Sequence, residues 1–466
     1  MEKFYKLLNQ YPEDKTMFIC DDKFFLKKDV LNRIILIQEK IEKNKKEEVI
    51  ALVLENSIDF VCSYFAILFS GYSVLLLNEK LLENEMIKIL EFMNIKTCIT
   101  RKKIIKDTIK IKKIFIDEIN FEEQKIKGLE IKAKNVKVYF QTSGTSQTKF
   151  FKIVPHTEGE IIDNASFNAE FLKIEKNDVG GIVLPLVFGY ANISQLVMHL
   201  LMKNTIVLMK NTDHPRKILN KVERYRVTHM AFTPFYLELI NMCNNLKINF
   251  NSLRKICFGG SVLTLENYLE SKKIFPKTEF IQTYGQIEAG PRITGKKIEK
   301  EYNPKNVGKA IKKTKIKILK KEKLSNKIGE IGEIVVKSPC IIKKYFKIRR
   351  NILFEKKWLK TGDIGYFNEK KDLILLGRKN NIIKNRGFQI CPEEIESYLK
   401  DKYHLNSLLI KKKELILIIE GDGNNIRKDR VLNDLKIKFS SYKIPDKIEI
   451  IKRFERTVTG KIKRKV

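Results

Sequence analysis

Short, unbroken apolar runs constrain this chain more than any other feature. Val49 to Leu54, Val74 to Leu77, Gly181 to Leu184, Thr205 to Leu208 and His229 to Phe232 recur between amphipathic stretches long enough for helices. A strand covered on both faces reads as a continuous apolar run, and neighbouring parallel strands need a helix-sized crossover between them. The alternation therefore predicts an α/β fold whose large N-terminal domain is built on parallel sheets. From about Thr314 the texture changes, and Lys315 to Leu319 and Gly332 to Lys337 read as strands of a small β-rich subdomain. After Gly377-Arg378, Pro392-Glu393-Glu394-Ile395-Glu396 opens a helix, with proline in its first turn and acids where the dipole favours them. Leu415 to Glu420 follows as a strand, so a small mobile α+β domain is expected at the C-terminus. The expected division is 1–379 and 380–466, joined at the polar Lys379-Asn380-Asn381.

With 466 residues, 43% of them hydrophobic, the chain can bury a large core and form two or three domains. Phe60 to Leu77 is its most membrane-like run, but Ser63, Ser70, Gly71 and Ser73 interrupt it, which predicts a buried helix followed by a strand. A formal charge of +35 raises nucleic acid or an anionic membrane as a partner. The lysines, however, are spread along the whole chain among isoleucines and asparagines, without a basic tail or interleaved aromatics, so no specific nucleic-acid site is expected. The seven cysteines are scattered and lack C-x-x-C spacing, which argues against a disulfide framework or a zinc site and for the cytoplasm. The polar N-terminus has no signal-peptide core, and no transmembrane segment is expected.

Four loops hold residues suited to chemistry. Thr142-Ser143-Gly144-Thr145 follows the strand-like Val136 to Phe140, and small hydroxyl residues around a glycine can wrap a polyphosphate; an ordinary turn has the same composition. In Tyr284-Gly285-Gln286-Ile287-Glu288, the carboxylate can hold Mg²⁺ against phosphates and the tyrosine can face a base; the plain alternative is a solvated acid after a turn. Asp363, between Gly362 and Gly365, suits a ribose diol or an Asx turn. Lys461, in Thr459-Gly460-Lys461, is either a mobile cation for a developing charge or part of a frayed basic end.

Taken in order, these pieces resemble the AMP-dependent synthetase and ligase superfamily: acyl- and aryl-CoA synthetases, the adenylation domains of peptide synthetases, and luciferases. Phe258-Gly259-Gly260-Ser261, Gly332-Glu333-Ile334 with Tyr345, Gly377-Arg378 through Glu396, and Tyr442-Lys443-Ile444-Pro445 extend the match over nearly the whole chain. The resemblance implies ATP-dependent activation of a carboxylic acid to an acyl-adenylate, release of pyrophosphate, and transfer to coenzyme A. It assigns Thr142, Ser143, Gly144 and Thr145 to phosphates, Gly260, Ser261 and Tyr284 with its neighbour Gly285 to adenine, Asp363 and Arg378 to ribose, and Glu288 to Mg²⁺. Lys461 would bridge nucleotide and acid, Lys384 would take its place after the small domain rotates, and Asn380 would be the hinge. Gln147, Lys149 and Phe150 stand where the family has a glycine and a proline-lysine pair, so Lys149 or Lys152 is the expected substitute; Ile287 replaces a threonine.

The acid pocket is expected from Phe188, Gly189, Tyr190, Phe235, Ala289 and Gly290. Amino-acid activators of the family carry an Asp after the phenylalanine; here Gly189 follows Phe188, which implies an uncharged acyl or aryl tail rather than an α-amino acid. The alternatives are an adenylating enzyme that loads the phosphopantetheine of an acyl carrier protein, a non-catalytic family member, and a basic nucleic-acid-binding protein.

Overall fold

A computed structural model of the chain describes residues 1–41, 48–104, 109–123, 129–132, 135–142, 152–243, 248–299, 301–348, 352–355, 357–385, 388–422, 426–456 and 462–464. The expected apolar runs become strands Val49–Leu52, Ser73–Leu76, Val179–Ile182, Thr205–Leu208 and His229–Phe232. One six-stranded sheet runs in the spatial order Lys112–Phe115, Thr97–Thr100, Val49–Leu52, Ser73–Leu76, Lys137–Gln141, Ile153–Thr157. All neighbours pair parallel except the last two, which are antiparallel on either side of the Thr142 loop.

A second, larger sheet has a parallel half: Phe18–Cys20, Thr205–Leu208, Val179–Ile182, His229–Phe232, Lys255–Gly259 and Glu279–Tyr284. It continues through antiparallel Thr294–Lys297 and Asn306–Ala310 into Leu373–Arg378, Trp358–Phe367, Gly332–Lys337 and Lys315–Lys320, where the texture change was expected. Beyond it, helices Pro392–Tyr403 and Lys428–Lys438 accompany a three-stranded sheet of Ser407–Lys411, Leu415–Glu420 and Lys447–Ile451.

The core follows from one sequence. Helix Ile58–Phe69 is apolar almost all round and every residue of it is buried, which is the only stable place for such a helix in a water-soluble arrangement. Ser57 caps it by accepting from the Phe60 N–H at 3.1 Å. Its side chains share one apolar cluster with Leu52 and Leu76 of the six-stranded sheet and with Ile182 and Ile206 of the larger one. Gly71, at φ +83°, then turns the chain into strand Ser73–Leu76, so the membrane-like run is a buried helix and strand as expected. Among the described residues no helix is long and apolar enough to cross a membrane.

Asn56, next to this helix, joins the two sheets. Its side-chain amide donates to the Leu184 carbonyl at 2.9 Å and the Met209 carbonyl at 3.2 Å, while its oxygen accepts from the Leu186 N–H at 2.8 Å. Buried polar groups persist only with such partners, and here they fix the loop that runs on to Phe188. Phe65 lies at the centre of the helix core, edge-on to Tyr64 at 5.0 Å and stacked on Phe69 at 5.7 Å. Phe65→Ala is expected to cost about 3–5 kcal/mol, read as an earlier urea midpoint; a loss below about 1 kcal/mol would mean that the surrounding rings close the cavity.

Candidate active site

A cavity of about 1070 Å³ opens at the C-terminal ends of the parallel strands, where ligands bind in sheets of this kind. Strand Lys255–Gly259 delivers Gly260 and Ser261, Glu279–Tyr284 delivers Gly285 through Glu288, and Lys137–Gln141 delivers Thr142. The β-rich part contributes Thr361, Gly362 and Arg378 from the opposite side. The motifs that are far apart in sequence thus converge on one wall-to-wall space.

At the nucleotide end, behind the wall formed by Thr361, Gly362 and Arg378 and outside the lining itself, Tyr284 and Asp363 form a buried pair. Tyr284 Oη donates to Asp363 Oδ2 at 2.7 Å, and Arg378 Nε lies 2.9 Å from Asp363 Oδ1. The Asp363 backbone N–H bonds Thr361 Oγ1 at 3.1 Å, and Thr361 donates to the Ile334 carbonyl at 2.8 Å. Burial, then the Asp363 charge, push the Tyr284 hydroxyl well above its ordinary pKa, so it stays a donor. Arg378 is half exposed, so this ion pair is weakly held and can exchange for another partner at little cost. Gly285 is required by close approach: a Cβ there would lie 1.7 Å from the Pro291 carbonyl oxygen. Gly260, at φ +89° with open space around it, leaves room for a flat ring against the backbone.

At the phosphate end, Thr142 N–H and Oγ1 both reach the Lys152 carbonyl, at 3.2 and 3.3 Å. Ser143, Gly144, Thr145, Lys149 and Lys461 lie outside the described residues, as does the side chain of Lys384, whose backbone forms strand Ile383–Asn385. The Lys152 ammonium lies 5.8 Å from the Tyr345 ring centroid, and both residues line the cavity. Tyr345 Oη donates to Glu288 Oε1 at 2.8 Å, and burial next to that charge raises the tyrosine's pKa. Among the described residues no group of three His, Cys, Asp or Glu side chains is gathered for a metal. The Glu288 carboxylate, held by Tyr345 on the cavity wall, nevertheless fits Mg²⁺, which takes one or two protein carboxylates and fills its shell with phosphate and water. Asn380 lines the cavity within a short 3₁₀ turn, Lys379–Asn381, and Lys379 pairs with Glu333 at 2.6 Å.

The third end of the cavity is apolar. Phe188, Gly189 and Tyr190 line it, as do Ile287 and Pro291. Ile287 packs so closely that a Cβ on Gly189 would lie 2.2 Å from its Cδ1, and His156 Nε2 donates to the Ile287 carbonyl at 2.6 Å. Phe235 is instead 37% exposed and is not part of the lining; Ala289 and Gly290 are packed behind it, a Cβ on Gly290 meeting Cys340 at 2.7 Å. Among the lining residues that escaped the sequence reading are Pro291, Thr233, Ser194 and Arg292, and the last puts a charge beside the surroundings expected to suit an uncharged tail. The only local signal was an arginine two residues beyond Gly290, too common a neighbour to stand out.

The sequence profile described as AMP-binding enzyme matches residues 40–346. A 4-coumarate-CoA ligase 1 from Narcissus pseudonarcissus is 24% identical over 464 residues, 90% of this chain and 84% of that protein. A 2-succinylbenzoate–CoA ligase from Lactococcus lactis is 27% identical over 435 residues, 89% of each chain. O-succinylbenzoate coenzyme A synthetase from Bacillus subtilis, in complex with ATP and magnesium ion, superimposes with a TM-score of 0.86 at 24% identity, covering 98% of this chain and 97% of that one.

The tight junction behind the nucleotide end gives a direct test. Gly285→Ala is expected to lower stability by about 1–3 kcal/mol and to weaken AMP binding in calorimetry, because the new methyl displaces the Pro291 backbone. Unchanged affinity would show that this wall yields without disturbing the nucleotide.

Proposed function

The chain belongs to the AMP-binding enzyme family, and we propose that it is an AMP-forming ligase that activates a carboxylic acid and passes it to coenzyme A, as its relatives' names suggest, with the following division of labour within its cavity. What supports it is the convergence of Thr142, Gly260-Ser261, Glu288 and Arg378, the ion-pair partner of buried Asp363, on a single space whose third end is lined by Phe188, Tyr190 and Ile287.

The acid's carboxylate attacks the α-phosphorus of ATP in line, and pyrophosphate leaves. Such transfer asks the protein mainly for positioning and charge stabilisation. Asp363 takes the ribose hydroxyls, Tyr284 holds that carboxylate in place, and the open backbone at Gly260 receives adenine. Glu288, oriented by Tyr345, would hold Mg²⁺, which would supply positive charge for the phosphates. Lys461 bridges nucleotide and acid during adenylation, and Lys152 supplements the cationic side of the phosphate loop. The segment from Asn380 onward then rotates, exchanging Lys461 for Lys384, and the thiol displaces AMP. We place the domain boundary at 379/380 for this reason. A reducing cytoplasm suits the cysteines, none of which forms a disulfide among the described residues.

Acid-dependent ATP–pyrophosphate exchange, screened over aliphatic and aromatic acids, tests the first step; offering coenzyme A against a carrier protein identifies the acceptor. Lys461→Ala is expected to abolish exchange while a pre-made acyl-adenylate is still converted to thioester, and near wild-type exchange would refute its role. Lys384→Ala is expected to do the reverse, and an equal loss of both half-reactions would refute the alternation.

A further inference from the structure

Arg292 is 4% exposed and lines the acid end of the cavity. Asn164 fixes its backbone from both sides, accepting from its N–H at 3.1 Å and donating to its carbonyl at 3.0 Å. Its Nε donates to Asn168 Oδ1 at 3.0 Å, and its guanidinium carbon lies 4.9 Å from the centroid of the Tyr190 ring. Tyr190 is in turn held through its hydroxyl, 3.3 Å from Thr283 Oγ1. Every one of these partners is neutral. Among the described residues no carboxylate pairs with Arg292, and the titratable groups that feel its charge are Tyr190, Cys257 and His229.

Arginine keeps its charge inside proteins, and a buried ion is strongly disfavoured without a counter-charge. The Asn168 amide, the Tyr190 hydroxyl and that ring's face are all neutral and do not replace one. The two terminal amines, which form the fork that matches a carboxylate, have no acidic partner among the described residues. A second orphan lies in the same wall: Ser194 is 1% exposed, lines the cavity, and its Oγ has no hydrogen-bond partner. A buried cation and a buried unpaired hydroxyl on one apolar surface are together complementary to an anionic oxygen, not to a hydrocarbon tail.

We propose that the acid activated by this chain is a dicarboxylic acid: one carboxylate is adenylated, and the second, which does not react, is held by the Arg292 guanidinium with Ser194 donating to it. This rests on the reading of the cavity as an acid-activating site and names its substrate class. The arginine would then select by charge, since a monoacid of the same skeleton leaves the guanidinium unpaired in the closed complex. Arg292 is a specificity-determining residue in this account; Asn164 and Asn168 are positioning residues.

The experiment pairs equilibrium binding with turnover. Thermal-shift titrations and pyrophosphate exchange are run with monoacids and with dicarboxylates of the same skeleton, aliphatic and aromatic, on the wild-type chain, Arg292→Leu and Arg292→Lys, each checked for native circular dichroism. The expected result is a dicarboxylate preference in the wild type whose ratio of kcat/KM falls by about 10- to 100-fold in Arg292→Leu and is partly restored in Arg292→Lys. A preference for monoacids, or an equal loss for both acid classes in Arg292→Leu, overturns the proposal and leaves the ligase reading standing. Arg292-dependent binding of dicarboxylates without any exchange supports the carboxylate site at Arg292 but overturns activation of the bound acid, and so counts against the ligase reading.

Discussion

The carboxylate of Asp363 is where the parts of this molecule meet. One oxygen takes the Tyr284 hydroxyl from the end of the parallel sheet, and the other takes Arg378, the last residue before the turn that leads to the C-terminal segment. The acid itself sits in the β-rich part, held by Thr361. Two structural units, the parallel sheet and the β-rich part, therefore share one charged group, and Arg378 leads from it toward the C-terminal segment. A buried acid held by Tyr284 and Arg378 is fixed in orientation before any ligand arrives.

Much of this was legible because the physics is local. Apolar runs of strand length with helix-sized intervals could form little else, and Thr205–Leu208 and His229–Phe232 fall where they were expected. The strand at Val179–Ile182 starts earlier than its apolar residues suggested, because Gly180 and Gly181 belong to it. The reason lies elsewhere in the chain: a Cβ on Gly180 would lie 2.3 Å from the His199 ring, so the strand needs a residue with no side chain there. His199 and His229 are buried side by side at 3.0 Å, and desolvation pulls both below the ordinary histidine pKa, so the contact is between neutral rings.

The candidate site divides in the same way. The order of its loops along the chain carried the family resemblance, whereas the partners that give each side chain its role are remote. Tyr284 and Asp363 are 79 residues apart, and Arg292 depends on Asn164 and Asn168, which lie 128 and 124 residues earlier. No spacing rule links an arginine after a Gly-Pro pair to two asparagines on a helix. The exposure of Phe235 was hidden for a similar reason: helix Pro234–Asn241 buries Tyr236, Leu237 and Ile240, and the periodicity that chooses this face turns Phe235 outward.

Ile287 and Gly189 have a consequence for how this pocket can change over time. The isoleucine methyl occupies the space that any side chain at 189 would need, although the two positions lie on different loops. Enlarging residue 189 alone meets that methyl, and shrinking residue 287 alone opens a void beside Pro291. Each single step is unfavourable while the double exchange keeps the volume, so the two positions behave as one heritable unit. Drift in acid preference at this wall must therefore proceed in coupled jumps, and a library that varies either position singly will under-sample the pockets this scaffold can support.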